Sequence, residues 1–479
     1  MEKNIGFQIE KLNIPIASTV VESNVARFDP ELFAFAGYSE MTTPIASTLS
    51  LLESSESNAL SAQAGLRKKF KSGLLAELAI NTDWLENNDT TNALDPSYRS
   101  GLEINLTQPL FRDFGEKTNT STLRIARNQR NQADLQHQLQ AQTLALQIEL
   151  LATQYAGQKE IVDLRTEAVA LAEELYTANK RRFDTGVIPV SEVQEAETAL
   201  ANRELNLSLA LQSKELNFEN LNRLLNHSLT QRLGEQQLYS FATDQVAADL
   251  PEFGQLFNAA QDKNLNLQLA AIDTLNAEIQ QDFYQNQLKP QLDLNLQAGL
   301  NGLSGDERDP STPTRYAGAW GDSLSGAAEA DGYYWSAGMQ FSVPLGNRLA
   351  KANLQQANLL HRQSTYQQQD LKTELRSQLQ QQVTNLQRAV EQVKIAARFE
   401  KLAKLSLHQE QRRQQEGLSD TFRVISFQDN MINAEIGRIN ALVQYYASLA
   451  QLNFTRGINL EQYNIVLSQQ VEENSREIM

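Results

Sequence analysis

Residues 291–301 read Gln-Leu-Asp-Leu-Asn-Leu-Gln-Ala-Gly-Leu-Asn, and this stretch decides the architecture. Leu292, Leu294, Leu296, Ala298 and Leu300 alternate with Gln291, Asp293, Asn295, Gln297 and Asn301. A period of two sends successive side chains to opposite sides of an extended chain, so the pattern predicts a strand with one apolar and one polar face. Three other segments repeat it. In 74–84, Leu74, Ala76, Leu78, Ile80 and Trp84 oppose Glu77, Asn81 and Asp83; in 100–107, Leu102, Ile104 and Leu106 oppose Glu103, Asn105 and Thr107; in 333–345, Tyr333, Trp335, Ala337, Met339, Phe341 and Val343 oppose Ser336, Gly338, Gln340 and Ser342. About ten residues suffice for a tilted strand to cross a bilayer. Leu292, Leu294, Leu296, Trp335, Met339 and Phe341 are therefore expected to face lipid, and Asp293, Asn295 and Gln297 water. Polar loops are expected at 86–98 and 303–331. Trp84, Tyr98, Tyr333, Tyr334 and Trp335 at the loop-side strand ends read as an aromatic girdle, because amphipathic rings favour the membrane–water boundary.

Outward from the strands the chain turns helical. Residues 118–182 hold no Pro and a single Gly, and the positions 144, 148, 151, 155, 158, 162, 165, 169, 172 and 176 form a coiled-coil-like seam. The break Gly186-Val187-Ile188-Pro189 precedes a returning helix at about 190–226, with Ser191 and Gln194 spaced as a capping box. Further helices are expected at about 252–287, 348–413 and 421–455, the last two separated at Gly417-Leu418-Ser419. Residues 31–43 look extended, 45–63 read as a Ser-rich loop, 227–250 are irregular and 458–479 read as a weakly ordered tail.

The two halves of the chain match. Arg182, Gly186, Val193, Glu204, Leu211 and Leu221 correspond to Arg413, Gly417, Val424, Glu435, Leu442 and Leu452 at an offset of 231, and Thr107-Gln108-Pro109-Leu110 corresponds to Ser342-Val343-Pro344-Leu345. Each half reads strand, polar loop, strand ending at Pro, very long helix, Gly tip, long helix, as a duplicated unit should. A helix of about 60 residues is roughly 90 Å long and has to pack side by side with others.

Composition narrows the function. With 42 Lys+Arg against 58 Asp+Glu the formal charge is −16, which disfavours nucleic acid as partner. There is no cysteine, so thiol nucleophiles, disulfides and Cys-based metal sites are excluded. His137, His227, His361 and His408 lie far apart and read as helix-surface residues, leaving no metal ligand set. No nucleophile–base set and no phosphate-binding Gly loop occur, so neither enzyme activity nor a cofactor is expected. No apolar run is long enough for a membrane helix, and the N-terminus lacks a signal-peptide core, so an export signal is expected to have been removed or to precede this sequence.

From about residue 100 to 456 the sequence resembles the outer-membrane efflux protein family, the TolC-like channels. The carrying residues are Leu106-Thr107-Gln108-Pro109-Leu110-Phe111, then Arg182-Phe183-Asp184-Thr185-Gly186-Val187 with Ser191-Glu192-Val193, and their counterparts Phe341-Ser342-Val343-Pro344-Leu345 and Gly417-Leu418-Ser419 with Val424. The resemblance implies a mainly α fold with a β-barrel part: four strands per protomer in a shared 12-stranded trimeric outer-membrane barrel, continued by a long periplasmic α-helical barrel. It implies a passive exit duct of a tripartite efflux or type I secretion system. The implied partners are a homotrimer's other copies, a periplasmic adaptor (membrane fusion) protein, an inner-membrane pump and outer-membrane lipid, in a Gram-negative-type cell. The adaptor-docking tips are then Gly186, Val187, Ile188, Gly417, Leu418 and Ser419. Asp420 and Arg423 fall at the periplasmic aperture, with Arg423 where the family often has Asp and paired with Asp420 or with a neighbouring protomer's carboxylate. The implied segments are 1–72 (N-terminal helix, extended piece and loop), 73–111 and 288–345 (strand pairs), 112–227 and 346–457 (helical hairpins), 228–287 (equatorial) and 458–479 (tail). A soluble periplasmic coiled-coil structural or adaptor protein is the alternative.

Overall fold

The structure is a computed structural model describing residues 4–46, 52–225 and 250–465. His227, most of the irregular 227–250 segment and the end of the tail lie outside them. Six strands occur among the described residues: β1 (Glu31–Pro44), β2 (Ser54–Lys69), β3 (Leu75–Asn87), β4 (Leu94–Pro109), β5 (Gln291–Glu307) and β6 (Gly332–Ser342). They form one antiparallel sheet in the order β1-β2-β3-β4-β5-β6. The helices are α1 (Ile5–Val25), α2 (Glu116–Asn119), α3 (Ser121–Asp184), α4 (Val190–Leu225), α5 (Phe253–Lys263), α6 (Leu265–Gln287), α7 (Trp320–Ala328), α8 (Arg348–Gln415), α9 (Thr421–Thr455) and α10 (Asn459–Gln462).

The four expected strands are β3 to β6, and among the described residues the sheet carries two more, β1 and β2. β1 occupies the extended stretch, and β2 begins inside what read as a Ser-rich loop and runs on through Arg67, Lys68 and Lys69. In β2 small residues carry the alternation: Leu60, Ala62, Ala64 and Leu66 against Ala59, Ser61, Gln63 and Gly65. Alanine and glycine differ little from serine in size, so the period of two has low contrast. The 303–331 loop contains the end of β5 and the short helix α7. Pro344 lies beyond the end of β6, where a missing N–H stops a ladder. α4 starts at Val190, which puts Ser191 inside the first turn rather than at the cap. The 252–287 helix is two, broken at Asn264, whose backbone is extended and whose Oδ1 accepts from the Leu267 N–H at 3.0 Å.

The chain divides into two compact units, one of residues 1–15, 131–271 and 366–479, the other of 16–130 and 272–365. The first is helical. Its largest core joins Leu256 and Ala260 of α5, Leu379, Val383, Leu386 and Val390 of α8, and Leu442, Tyr445 and Leu452 of α9. A second core joins Ile161 and Val162 of α3, Ala210 of α4 and Ile439 of α9, so α9 contributes to both. A third packs Phe7 of α1 against Ala141 and Leu144 of α3. There His137 is half-buried and stacked on Phe7 at 4.4 Å between ring centroids, not a free surface residue, and burial pushes its pKa down.

The second unit holds the sheet and α7. At Gly302 a Cβ would stand 2.1 Å from the Ser323 carbonyl oxygen, so only glycine lets α7 lie this close to β5. Three further bonds fasten the helix: Trp320 Nε1 donates to Thr82 Oγ1 at 2.7 Å, Ser304 Oγ donates to the Ala319 carbonyl at 2.8 Å, and Ser100 and Ser323 share a bond of 2.7 Å.

Leu386 is almost fully buried in the α5–α8–α9 core. Leu386→Ala removes a packed side chain and leaves a cavity, at a cost of about 2–5 kcal/mol. Denaturant unfolding followed by circular dichroism should show a lowered midpoint; an unchanged midpoint would remove Leu386 from the core.

Candidate functional site

The ladders decide which strand residues share a face, because directly opposite residues of an antiparallel pair project to the same side. On β5 and β6, Leu292 pairs with Phe341, Leu294 with Met339, Leu296 with Ala337, Ala298 with Trp335 and Leu300 with Tyr333. All six residues expected to face lipid therefore share one face. That face continues through Leu106, Ile104 and Leu102 of β4, Ala76, Leu78 and Ile80 of β3, Leu66, Ala64 and Ala62 of β2, and Leu32, Ala34 and Ala36 of β1. Leu294 is half-buried in one chain, whereas Phe341, Met339 and Trp335 are exposed.

Toward the loops the same face changes character. Thr82, Ser100, Gly302 and Ser304 follow the apolar band, and α7 lies over them. Tyr38, Leu60, Trp84, Tyr98 and Trp320 line a hollow at this boundary. The expected girdle thus contains Trp84, Tyr98, Tyr333 and Trp335, gains Tyr38 and Trp320, and loses Tyr334. The alternation puts Tyr334 on the opposite face, where its hydroxyl bonds Glu103 and its ring covers Gly299. That face is polar: Glu103 Oε1 accepts from Asn105 Nδ2 and Gln297 Nε2, both at 2.6 Å, and Thr107 Oγ1 donates to Asn295 Oδ1 at 3.1 Å.

The hairpin tips are built alike. Gly186 and Gly417 have φ of +77° and +74°, the left-handed region that glycine enters without strain. The Gly186 N–H donates to the Phe183 carbonyl and the Val187 N–H to the Arg182 carbonyl; the Gly417 and Leu418 N–H groups donate to the Gln414 and Arg413 carbonyls. This paired pattern satisfies the last carbonyls of α3 and α8 by one geometry at repeat-equivalent positions. Val187 and Leu418 are 65% and 64% exposed, whereas Ile188 is buried at 8%. Phe422, one turn on, is exposed as well and was not anticipated.

Asp420 caps α9, accepting from the Arg423 N–H at 2.8 Å. The Arg423 side chain pairs instead with Glu410 of α8, Nε to Oε1 at 3.1 Å, within the same chain. Glu410 is buried and also receives Arg413 at 3.5 Å and the Ser419 hydroxyl at 2.5 Å. Beside this cluster the two hairpins are joined by buried polar side chains: Asn179 Nδ2 of α3 donates to Thr421 Oγ1 at 3.0 Å, and Thr421 Oγ1 donates to Glu192 Oε2 of α4 at 2.8 Å. A second bridge is the buried Arg203 of α4, which reaches the Ala168 carbonyl, Gln428 Oε1 at 2.9 Å and Asp429 at 3.4 Å. On α8 and α9, Lys404 sits between Glu400 and Glu435; its bond to Glu400 and then that to Glu435 hold its pKa above the ordinary lysine value.

Residues 73–227 match the family model described as outer membrane efflux protein. Over that stretch the chain is similar to the outer membrane efflux proteins. The one-sided apolar sheet suits an outer-membrane setting. No curated protein matches the chain in sequence. Solved structures match its fold. The CmeC outer membrane channel of Campylobacter jejuni aligns at TM-score 0.67 and 15% identity, covering 99% of this chain and 86% of that one. The outer membrane protein VceC of Vibrio cholerae aligns at 0.63 and 14%, covering 94% and 92%. The open-state MtrE outer membrane channel of Neisseria gonorrhoeae aligns at 0.63 and 14%, covering 95% and 86%. CmeC and MtrE are channels, and the matched family model describes efflux proteins. Among the described residues no helix is long and apolar enough to cross a membrane.

Thr421 is fully buried and joins Asn179 to Glu192. Thr421→Ala removes both bonds, leaving Asn179 its bond to the Glu192 carbonyl at 3.3 Å, and should cost about 1–3 kcal/mol, while Thr421→Ser keeps the hydroxyl and most of the stability. Urea midpoints at unchanged slope would show it; equal midpoints for Ala and Ser would remove the bridge from the account.

Proposed function

We propose that the chain is one protomer of a passive trimeric duct through the outer membrane, receiving cargo from an inner-membrane pump by way of a periplasmic adaptor. The observation that carries this reading is the sheet. Its apolar face crosses six strands, and among the described residues only α7, at one end, lies over it. Such a face is stable against hydrocarbon, and an open sheet in hydrocarbon needs further strands to close it. Its polar face, with Glu103, Asn105 and Gln297, suits a water-filled lumen. A soluble coiled-coil adaptor would leave the same apolar band in water, which disfavours that reading.

The helical hairpins serve as the periplasmic part. Gly186-Val187 and Gly417-Leu418 present exposed apolar side chains on rigid turns of one geometry, and two such tips from each of three copies make six docking points for an adaptor. Ile188 and Ser419 take part as supports, one buried and the other bonded to Glu410. Arg423, held by Glu410, lines the narrow end together with Asp420 and makes it less acidic than an Asp there would.

A Gly186→Val, Gly417→Val double variant replaces both left-handed turns, which a β-branched residue enters only at a cost. It should still reach the outer membrane as an oligomer, yet fail to transport with adaptor and pump present. Normal transport by that variant would reduce the tips to simple turns.

A further inference from the structure

We infer that β1 of one copy pairs with β6 of a second copy, so that each copy supplies six strands and the N-terminal hairpin β1–β2 is part of the barrel wall. The trimer itself rests on the function proposed above; the edge pairing rests on the sheet.

Among the described residues the sheet has two free edges, β1 and β6. Free edges of natural sheets are usually blunted by proline, lysine or a bulge. β6, Gly-Tyr-Tyr-Trp-Ser-Ala-Gly-Met-Gln-Phe-Ser, contains no proline and no charge. β1 has its proline only at its last residue, Pro44, and carries no lysine. Neither ladder that these strands make inside the sheet contains a bulge. Both edges are therefore open to pairing. With six alternating strands, β1 and β6 run in opposite directions, so copies joined edge to edge keep an antiparallel order all round.

The register follows from the slant of the sheet. Traced across the ladders, Glu31 lies opposite Arg67, Glu77, Asn105, Gln297 and finally Ser336. β6 continues from Ser336 to Ser342, six residues past the level at which β1 begins. A shift of six residues over six strands, at about 3.3 Å per residue and about 4.8 Å per strand, is a strand tilt of roughly 35°, within the range that closed barrels need. Aligning Glu31 with Ser342 of the neighbour then pairs all of β6 with Glu31–Met41. The shift is even, so the faces match: Phe341 meets Leu32, Met339 meets Ala34, Ala337 meets Ala36 and Trp335 meets Tyr38. Three copies then close eighteen strands, a wider pore than twelve would give.

The absence of native cysteine makes the test clean. Ala337→Cys combined with Ala36→Cys puts two thiols on facing strands of neighbouring copies, and Met339→Cys with Ala34→Cys is a second pair two residues along. In outer membranes, oxidation or a short bis-thiol reagent should give dimer and trimer bands on denaturing gels for both pairs. Ala337→Cys with Phe35→Cys, on opposite faces, should give none. If Ala337→Cys links instead to Ile80→Cys of β3, the copies close through four strands each: the duct stands and this inference falls. Intact trimers in which neither β1 pair links also overturn it. Monomers whose β1 and β6 thiols link within one chain overturn both the pairing and the trimeric duct.

Discussion

In hydrocarbon, every backbone N–H and C=O has to find its partner within protein, because no water is there to replace it. This constraint governs the rest of the molecule. It requires β2 to β5 to be paired on both sides, as they are, and in the proposed duct it makes β1 and β6 the edges at which a further chain attaches. It also sets the character of the two faces. Once the strands are extended, alternation delivers leucine, methionine and aromatic rings to one side and Glu103, Asn105, Asn295 and Gln297 to the other.

The helical unit solves a different problem. Long helices bury narrow stripes, and α9 spends its stripe on two cores, one with α5 and α8, the other with α3 and α4. Near the tips, buried polar groups take over from leucine. Thr421 bonds Asn179 and Glu192, Arg203 bonds Gln428, and Glu410 gathers Arg413, Arg423 and Ser419. Such bonds are directional, and leaving one partner unpaired is costly, so they specify how the hairpins meet more sharply than apolar packing does. The tips combine this fixed interior with exposed Val187, Leu418 and Phe422.

Much of this was legible in the sequence because two periods stand out in it. The strongly contrasted leucines of β5 and the aromatics of β6 gave both strands and the shared face of Leu292, Leu294, Leu296, Trp335, Met339 and Phe341. The glycines at the repeat offset gave both tips, down to their matching backbone geometry. β2 was missed because alanine, glycine and serine carry its alternation, and α7 because a nine-residue helix inside a Gly-rich loop offers too few turns for a period. Tyr334 was grouped with its neighbours by type, although alternation alone sends it across the sheet. The partner of Arg423 was sought in Asp420 or in a neighbouring protomer, whereas it is Glu410, a helix end away in the same chain. The repeat offers the signal that could have found this cluster: Asn179 and Glu192 stand where Glu410 and Arg423 stand in the second half, so both hairpins place polar residues at the same two positions.

The central claim is that the apolar face of the six-stranded sheet meets lipid acyl chains. All three tryptophans of the chain serve as reporters: Trp84 and Trp335 project from that face, and Trp320 is bonded to Thr82 on it. The direct measurement is tryptophan fluorescence of the protein reconstituted in phospholipid brominated along its acyl chains, beside the same lipid unbrominated. The account predicts strong quenching by the brominated lipid, reduced when Trp335 is replaced by phenylalanine, with little quenching by aqueous iodide. Tryptophans insensitive to brominated chains but readily quenched by iodide would contradict it.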